Sequence, residues 1–180
     1  MGYSSSILGY MTRISISWWF LIAIMGLGMS FLSRKLYLVK KINKLQAGSL
    51  IFIFIYLLIV LVSTVFSRSS GDEYLYKLEL FWSYRNFLEI GIIGVLFENV
   101  YNLFLLFPYG FCVKIISQRL GAIWIWITGT FISLMIELLQ LALKRGYFEL
   151  DDIFHNSIGV VLGILSYVIV EKIKKKQTST

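Results

Sequence analysis

Proline, cysteine and histidine each occur once in 180 residues, and only 15% of the chain is charged. Soluble domains carry roughly 25% charged residues, so an ordinary soluble globular domain is excluded. Cys112 has no second cysteine with which to form an intramolecular disulfide. The lone His155 excludes paired-histidine helices of the H-E-x-x-H type. G-x-S-x-G, zinc-finger spacing and phosphate-cradling glycine loops are missing too, so no cofactor and no resident metal are expected. Acids number 10 against 17 Lys and Arg, a formal charge of +7. The cations are scattered between apolar runs and form no continuous basic face, which argues against nucleic acid as a partner.

What is present is hydrophobic length: 58% hydrophobic residues and a mean hydropathy of +0.77. Five apolar runs stand out, over residues 14–32, 48–67, 90–116, 121–143 and 153–170. Each suffices for a helix across a hydrocarbon core of about 30 Å, which needs about 20 residues. Lipid satisfies no backbone polar group, so the spans must be helical. The expected fold is all-α: one integral membrane domain over residues 1–180, a bundle of about five transmembrane helices. Pro108 removes a backbone donor and Gly110 loosens the chain, so the third span is expected to be broken near Pro108.

Basic residues set the expected orientation. Arg34, Lys35, Lys40, Lys41, Lys44, Lys114, Arg119, Lys172, Lys174, Lys175 and Lys176 fall in one set of connections, where Glu171 is the one acid. The other set holds Arg13, Arg68, Lys77, Arg85, Lys144 and Arg145 with Asp72, Glu73, Glu79, Glu89, Glu149, Asp151 and Asp152. The positive-inside rule makes the first set cytoplasmic, with the N-terminus outside and the C-terminus inside. The first run exceeds the 7–15 residues typical of a signal-peptide core and reads as a span. Met1-Gly2-Tyr3-Ser4-Ser5-Ser6 matches a myristoylation pattern, a coincidence if the N-terminus is outside. The aromatic, mixed-charge segment 68–89 reads as an anchor lying along headgroups.

Polar residues inside the spans carry the functional signal, because an ionisable group at mid-membrane costs roughly 3 kcal/mol on insertion scales. Glu98 and Asn102 lie four apart; Gly129, Ser133, Glu137, Gln140 and Lys144 follow one helical face; Asp152, Asn156, Gly159 and Gly163 follow another. In the expected topology all three stripes fall in the outer half of the membrane. They describe an outward-facing pocket lined by Glu98, Asn102, Glu137, Gln140, Asp151, Asp152 and Asn156, with Arg145 on its rim. Gly159 and Gly163 permit close helix approach in the small-xxx-small manner. The bland alternative is interhelical hydrogen bonding alone. Carboxylates from three helices are also the donor type that a hard divalent cation takes.

Asn102-Leu103-Phe104-Leu105-Leu106-Phe107-Pro108-Tyr109-Gly110-Phe111 resembles the N-x-x-x-F-x-P-x-G-F segment of VanZ-like membrane proteins, with Leu106 where that family usually has phenylalanine. Glu137 and Gln140, followed by Gly146, Phe148, Glu149, Asp151, Asp152, Asn156, Gly159 and Gly163, are similar to the family's second pattern, with Glu149 where Asp is frequent. Tyr76–Arg85 resembles its external segment. The resemblance implies a multi-pass protein of the bacterial plasma membrane and low-level resistance to lipoglycopeptides such as teicoplanin, but not to vancomycin. The expected partners are membrane lipid and a polar headgroup, from the drug or from a lipid-linked wall precursor. The alternative from another class is a membrane enzyme acting on an envelope lipid or wall precursor with Glu137 or Asp152 as acid or base.

Overall fold

The computed structural model describes residues 14–91 and 93–178; the myristoylation-like opening lies outside them. Among the described residues, five helical stretches are long and apolar enough to cross a membrane. The first is α1, Ile16–Leu38. The second is α2, Lys44–Leu61, whose end widens into a π-turn over Val62–Phe66. A short strand β1, Leu75–Lys77, and helix α3, Trp82–Ile90, precede the third span. That span consists of two helices, α4, Gly94–Leu105, and α5, Phe107–Ile116. Helix α6, Ala122–Ala142, strand β2, Tyr147–Glu149, and helix α7, Leu150–Thr178, complete the chain.

Local chemistry explains the boundaries. Asn43 accepts from the Gln46 amide and Gln46 Oε1 from the Asn43 amide, each at 2.9 Å, a reciprocal cap that starts α2. Gly91, at φ +73°, closes α3 in the left-handed conformation that glycine adopts without a Cβ penalty. The third span breaks at Leu106, whose φ of −108° and ψ of 6° are not helical. Pro108 falls in the first turn of α5, where a missing N–H costs nothing. Tyr56 donates its hydroxyl to the Leu105 carbonyl at 2.9 Å, covering a terminal acceptor of α4.

Helix α7 packs on α4, α5 and α6 and forms the axis of the bundle. Its glycines meet the broken span backbone to backbone: a Cβ on Gly159 would lie 2.1 Å from the Leu103 carbonyl oxygen, and one on Gly163 2.1 Å from that of Phe107. Gly110 returns the contact, with Val160 O at the same distance from its would-be Cβ. The fully buried Leu106, Ile125 and Val160 fill the space around the break.

Two boundaries differ from the hydropathy reading. The run 90–116 is not one helix: Ile90 ends α3, and the apolar span begins at Leu96. Helix α7 also starts before residue 153, because Asp151 and Asp152 in its first turn favour the positive end of the helix dipole. The external segment is likewise no flat anchor. It folds onto α7, and β1 pairs in parallel with β2 in the register Leu75↔Tyr147, Tyr76↔Phe148, Lys77↔Glu149. At the opposite end, Gln46 Nε2 donates to Ile116 O at 2.9 Å and Ser33 to Ala47 O at 3.0 Å.

Candidate functional site

The start of α7 gathers the polar groups. Asp151, 1% exposed, accepts at its carboxylate from the Phe81 amide, from the Ser83 amide at 3.2 Å and from the Ser83 hydroxyl at 2.7 Å. It therefore caps α3, a helix seventy residues earlier that has no cap of its own. Asn99 donates to the same Ser83 hydroxyl at 2.9 Å. His155 Nδ1 lies 2.6 Å from the Asp151 carbonyl and Nε2 2.7 Å from the Tyr84 hydroxyl. A carbonyl only accepts, so Nδ1 carries a proton and donates to it, while Nε2 and the Tyr84 hydroxyl share the second hydrogen bond.

One helical step away, Asp152 Oδ1 accepts from Asn102 Nδ2 at 2.6 Å, joining α7 to α4. Glu137, 2% exposed on α6, accepts from the Glu149 amide at 2.9 Å. The Glu149 side chain accepts from Trp82 Nε1 at 2.9 Å and pairs with Lys77 at 3.6 Å. Lys77 also stands over the Trp82 ring, 3.3 Å from its centroid. Burial pushes the Glu149 carboxyl above the usual carboxylate range, and Lys77 and Trp82 offset this only in part. A turn deeper, Asn156 Nδ2 donates to Ser133 at 2.8 Å, and beyond it Thr130 and Ser157 share a hydroxyl contact of 2.9 Å.

The sequence-derived pocket residues thus fall into three groups. Glu98, Asn102 and Asp152 are half-buried. Glu137, Asp151 and Asn156 are buried and hydrogen-bonded within the bundle. Gln140 and Arg145 turn to the end of the second span: Gln140 Nε2 donates to Thr64 O at 3.2 Å, and Arg145 Nη1 to Phe66 O at 2.8 Å and Val65 O at 3.4 Å. They satisfy carbonyls that the π-turn leaves over. Pro108, Gly110, Gly159 and Gly163 lie where the two halves of the third span meet α7.

Sequence reasoning passed over Arg68, Ser83, Tyr84, Asn99 and His155 as members of this assembly. Arg68 follows the π-turn, with its Nε buried and its guanidinium against Gly146. Its position as the first charged residue after an apolar run was the available signal. Among the described residues no group of three or more His, Cys, Asp or Glu side chains is arranged to hold a metal ion.

A protein-family description, VanZ/LLP1, matches residues 49–171, which takes in most of α2, all of α3 to α6, α7 as far as Glu171, and every residue of the assembly. No curated protein and no solved structure matches the chain.

Proposed function

Because the chain belongs to the VanZ/LLP1 family, we propose that it is a multi-pass protein of the bacterial plasma membrane that gives low-level resistance to lipoglycopeptides such as teicoplanin. It does so by holding a polar headgroup, of the drug or of a lipid-linked wall precursor, at the acidic end of its bundle. The positive-inside rule turns that end outward, toward both candidates. The observation that carries this reading is the convergence of carboxyl and amide groups from α4, α6 and α7, with Glu98, Asn102 and Asp152 half-buried at its edge. Ionisable groups at membrane depth are expensive and are functional by default. A ligand's acyl chain would leave water at about 0.8 kcal/mol per methylene, which favours a lipidated drug over vancomycin.

The test is the inhibitory concentration of teicoplanin beside that of vancomycin in a susceptible Gram-positive host producing the chain, its Glu98→Gln variant or its Glu137→Gln variant. A selective rise for teicoplanin that both variants return to background is expected, with drug and lipids covalently unchanged by mass spectrometry. A covalently altered drug or lipid would favour the enzyme reading, with Glu137 or Asp152 as acid or base. An equal response to both drugs would sink the headgroup reading.

A further inference from the structure

We infer that the connection between α1 and α2 binds the headgroup of an anionic phospholipid, through Lys40, Lys41 and Lys44 around an open cavity at the end of the bundle away from the acidic assembly. This site is independent of the headgroup reading, which concerns the other end.

Its construction begins with the way α1 stops. Lys41 N donates to Leu36 O and Lys40 N to Tyr37 O, each at 3.0 Å. These are the six-to-one and five-to-two bonds of a Schellman ending, with Lys40 at the left-handed position, φ +57°. Glycine takes that conformation without a Cβ penalty, yet here a lysine bears it. A strained side chain at such a position points to a use for the side chain itself. The turn sets Lys40 and Lys41 side by side, and Asn43 then caps α2, which starts at Lys44.

An open cavity of about 530 Å³ lies at this turn. Tyr37, Leu38 and Ile42 give it an apolar wall, and Lys40 and Lys41 a cationic one. Asn43 Oδ1 and both ends of the Gln46 amide are taken up by Gln46 N, Asn43 N and Ile116 O. The ammonium groups are therefore the donors left for a ligand. Among the described residues the ion pairs are Lys77–Glu149, Arg85–Glu79, Arg85–Glu89 and Lys174–Glu171, and none reaches this loop. The first acid in the chain is Asp72, beyond the second span. Arg34, Lys35, Lys40, Lys41 and Lys44 thus present positive charge with no carboxylate to meet it, next to the membrane surface where anionic headgroups lie. Lys114, at the same end, is engaged differently and donates to Gln118 O at 3.2 Å and Leu120 O at 2.8 Å. The tail of such a lipid has a track as well. Exposed Leu27, Phe31 and Leu38 follow one face of α1 up to the cavity.

The test is native mass spectrometry of the full chain in a neutral detergent, titrated with phosphatidylglycerol, phosphatidylcholine or inorganic phosphate. Phosphatidylglycerol is expected to bind in preference to phosphatidylcholine, and inorganic phosphate at equal concentration should not displace it. Each loop lysine removed should weaken that binding on the order of fivefold. The control removes the same charge from the end of α7: Lys172→Gln with Lys175→Gln should cost little beside Lys40→Gln with Lys41→Gln. Lys40→Gly separates binding from folding, because glycine relieves the left-handed backbone. It should melt at or above the parent temperature while losing affinity for phosphatidylglycerol. Equal losses from the loop and tail pairs would mean diffuse attraction and overturn the site, as would parent affinity in Lys40→Gly. Equal binding of phosphatidylcholine, or displacement by inorganic phosphate, would overturn the anionic lipid as its occupant.

Discussion

Glu149 is the residue at which burial and pairing oppose each other most visibly. Its carboxyl is pushed up by burial, with Lys77 and the Trp82 indole pulling the other way. The folded chain therefore holds this proton more tightly than the unfolded chain does. Stability from the group is fully present below the ordinary Glu value of about 4.3 and is lost as pH rises through the raised value. Glu149→Gln cannot titrate and keeps an acceptor for Trp82. Relative to the parent, its melting temperature is expected to climb as pH is raised from about 4 to about 8; a falling difference would mean that Lys77 outweighs burial. Asp151 and Asp152 mark the limit of legibility at this scale. Both were read as pocket lining, yet neighbours on a helix point about 100° apart. One caps α3 and the other meets Asn102. Nothing local in the sequence distinguishes them, because the donors that claim Asp151 lie seventy residues away.

At the scale of elements, spacing carried more. The four-residue steps that placed Gly159 and Gly163 on one face correspond to two backbone contacts on α4 and α5, and the Pro108 and Gly110 pair marks the broken span to within two residues of Leu106. Gly159→Ala is expected to destabilise by about 1–3 kcal/mol, since the clash is with backbone and not with a flexible tip. Gly28→Ala on α1, where nothing lies within 4 Å, should be neutral or slightly stabilising. Equal effects in thermal unfolding would contradict the close approach. The π-turn, the β1–β2 pair and the fold of α3 onto α7 were not legible. A parallel pair of three residues leaves no periodicity, and apolar runs do not reveal the hydrogen-bond phase inside a helix.

For the whole molecule, charge counting predicts what the bundle alone does not show: which end faces which compartment. With Cys112 buried, a membrane-impermeant maleimide should label Ser69→Cys in intact cells and Lys175→Cys only after permeabilisation. The reverse pattern would invert the orientation and move the acidic assembly to the cytoplasm. Helix α1 packs chiefly on α2 and precedes the family segment, which begins at residue 49. The acidic end, by contrast, is closed by contacts between chain segments far apart: Lys77 meets Glu149, and Phe81 meets Asp151. That closure has a consequence for biogenesis. The segment bearing β1 and α3 leaves the ribosome well before the turn and helix that receive it. At 5–20 residues per second, seventy residues take on the order of ten seconds. During that interval the α3 amides and the Trp82 indole lack the carboxylates that receive them in the folded chain, so the cap over the acidic end is closed only once β2 and the start of α7 have been made.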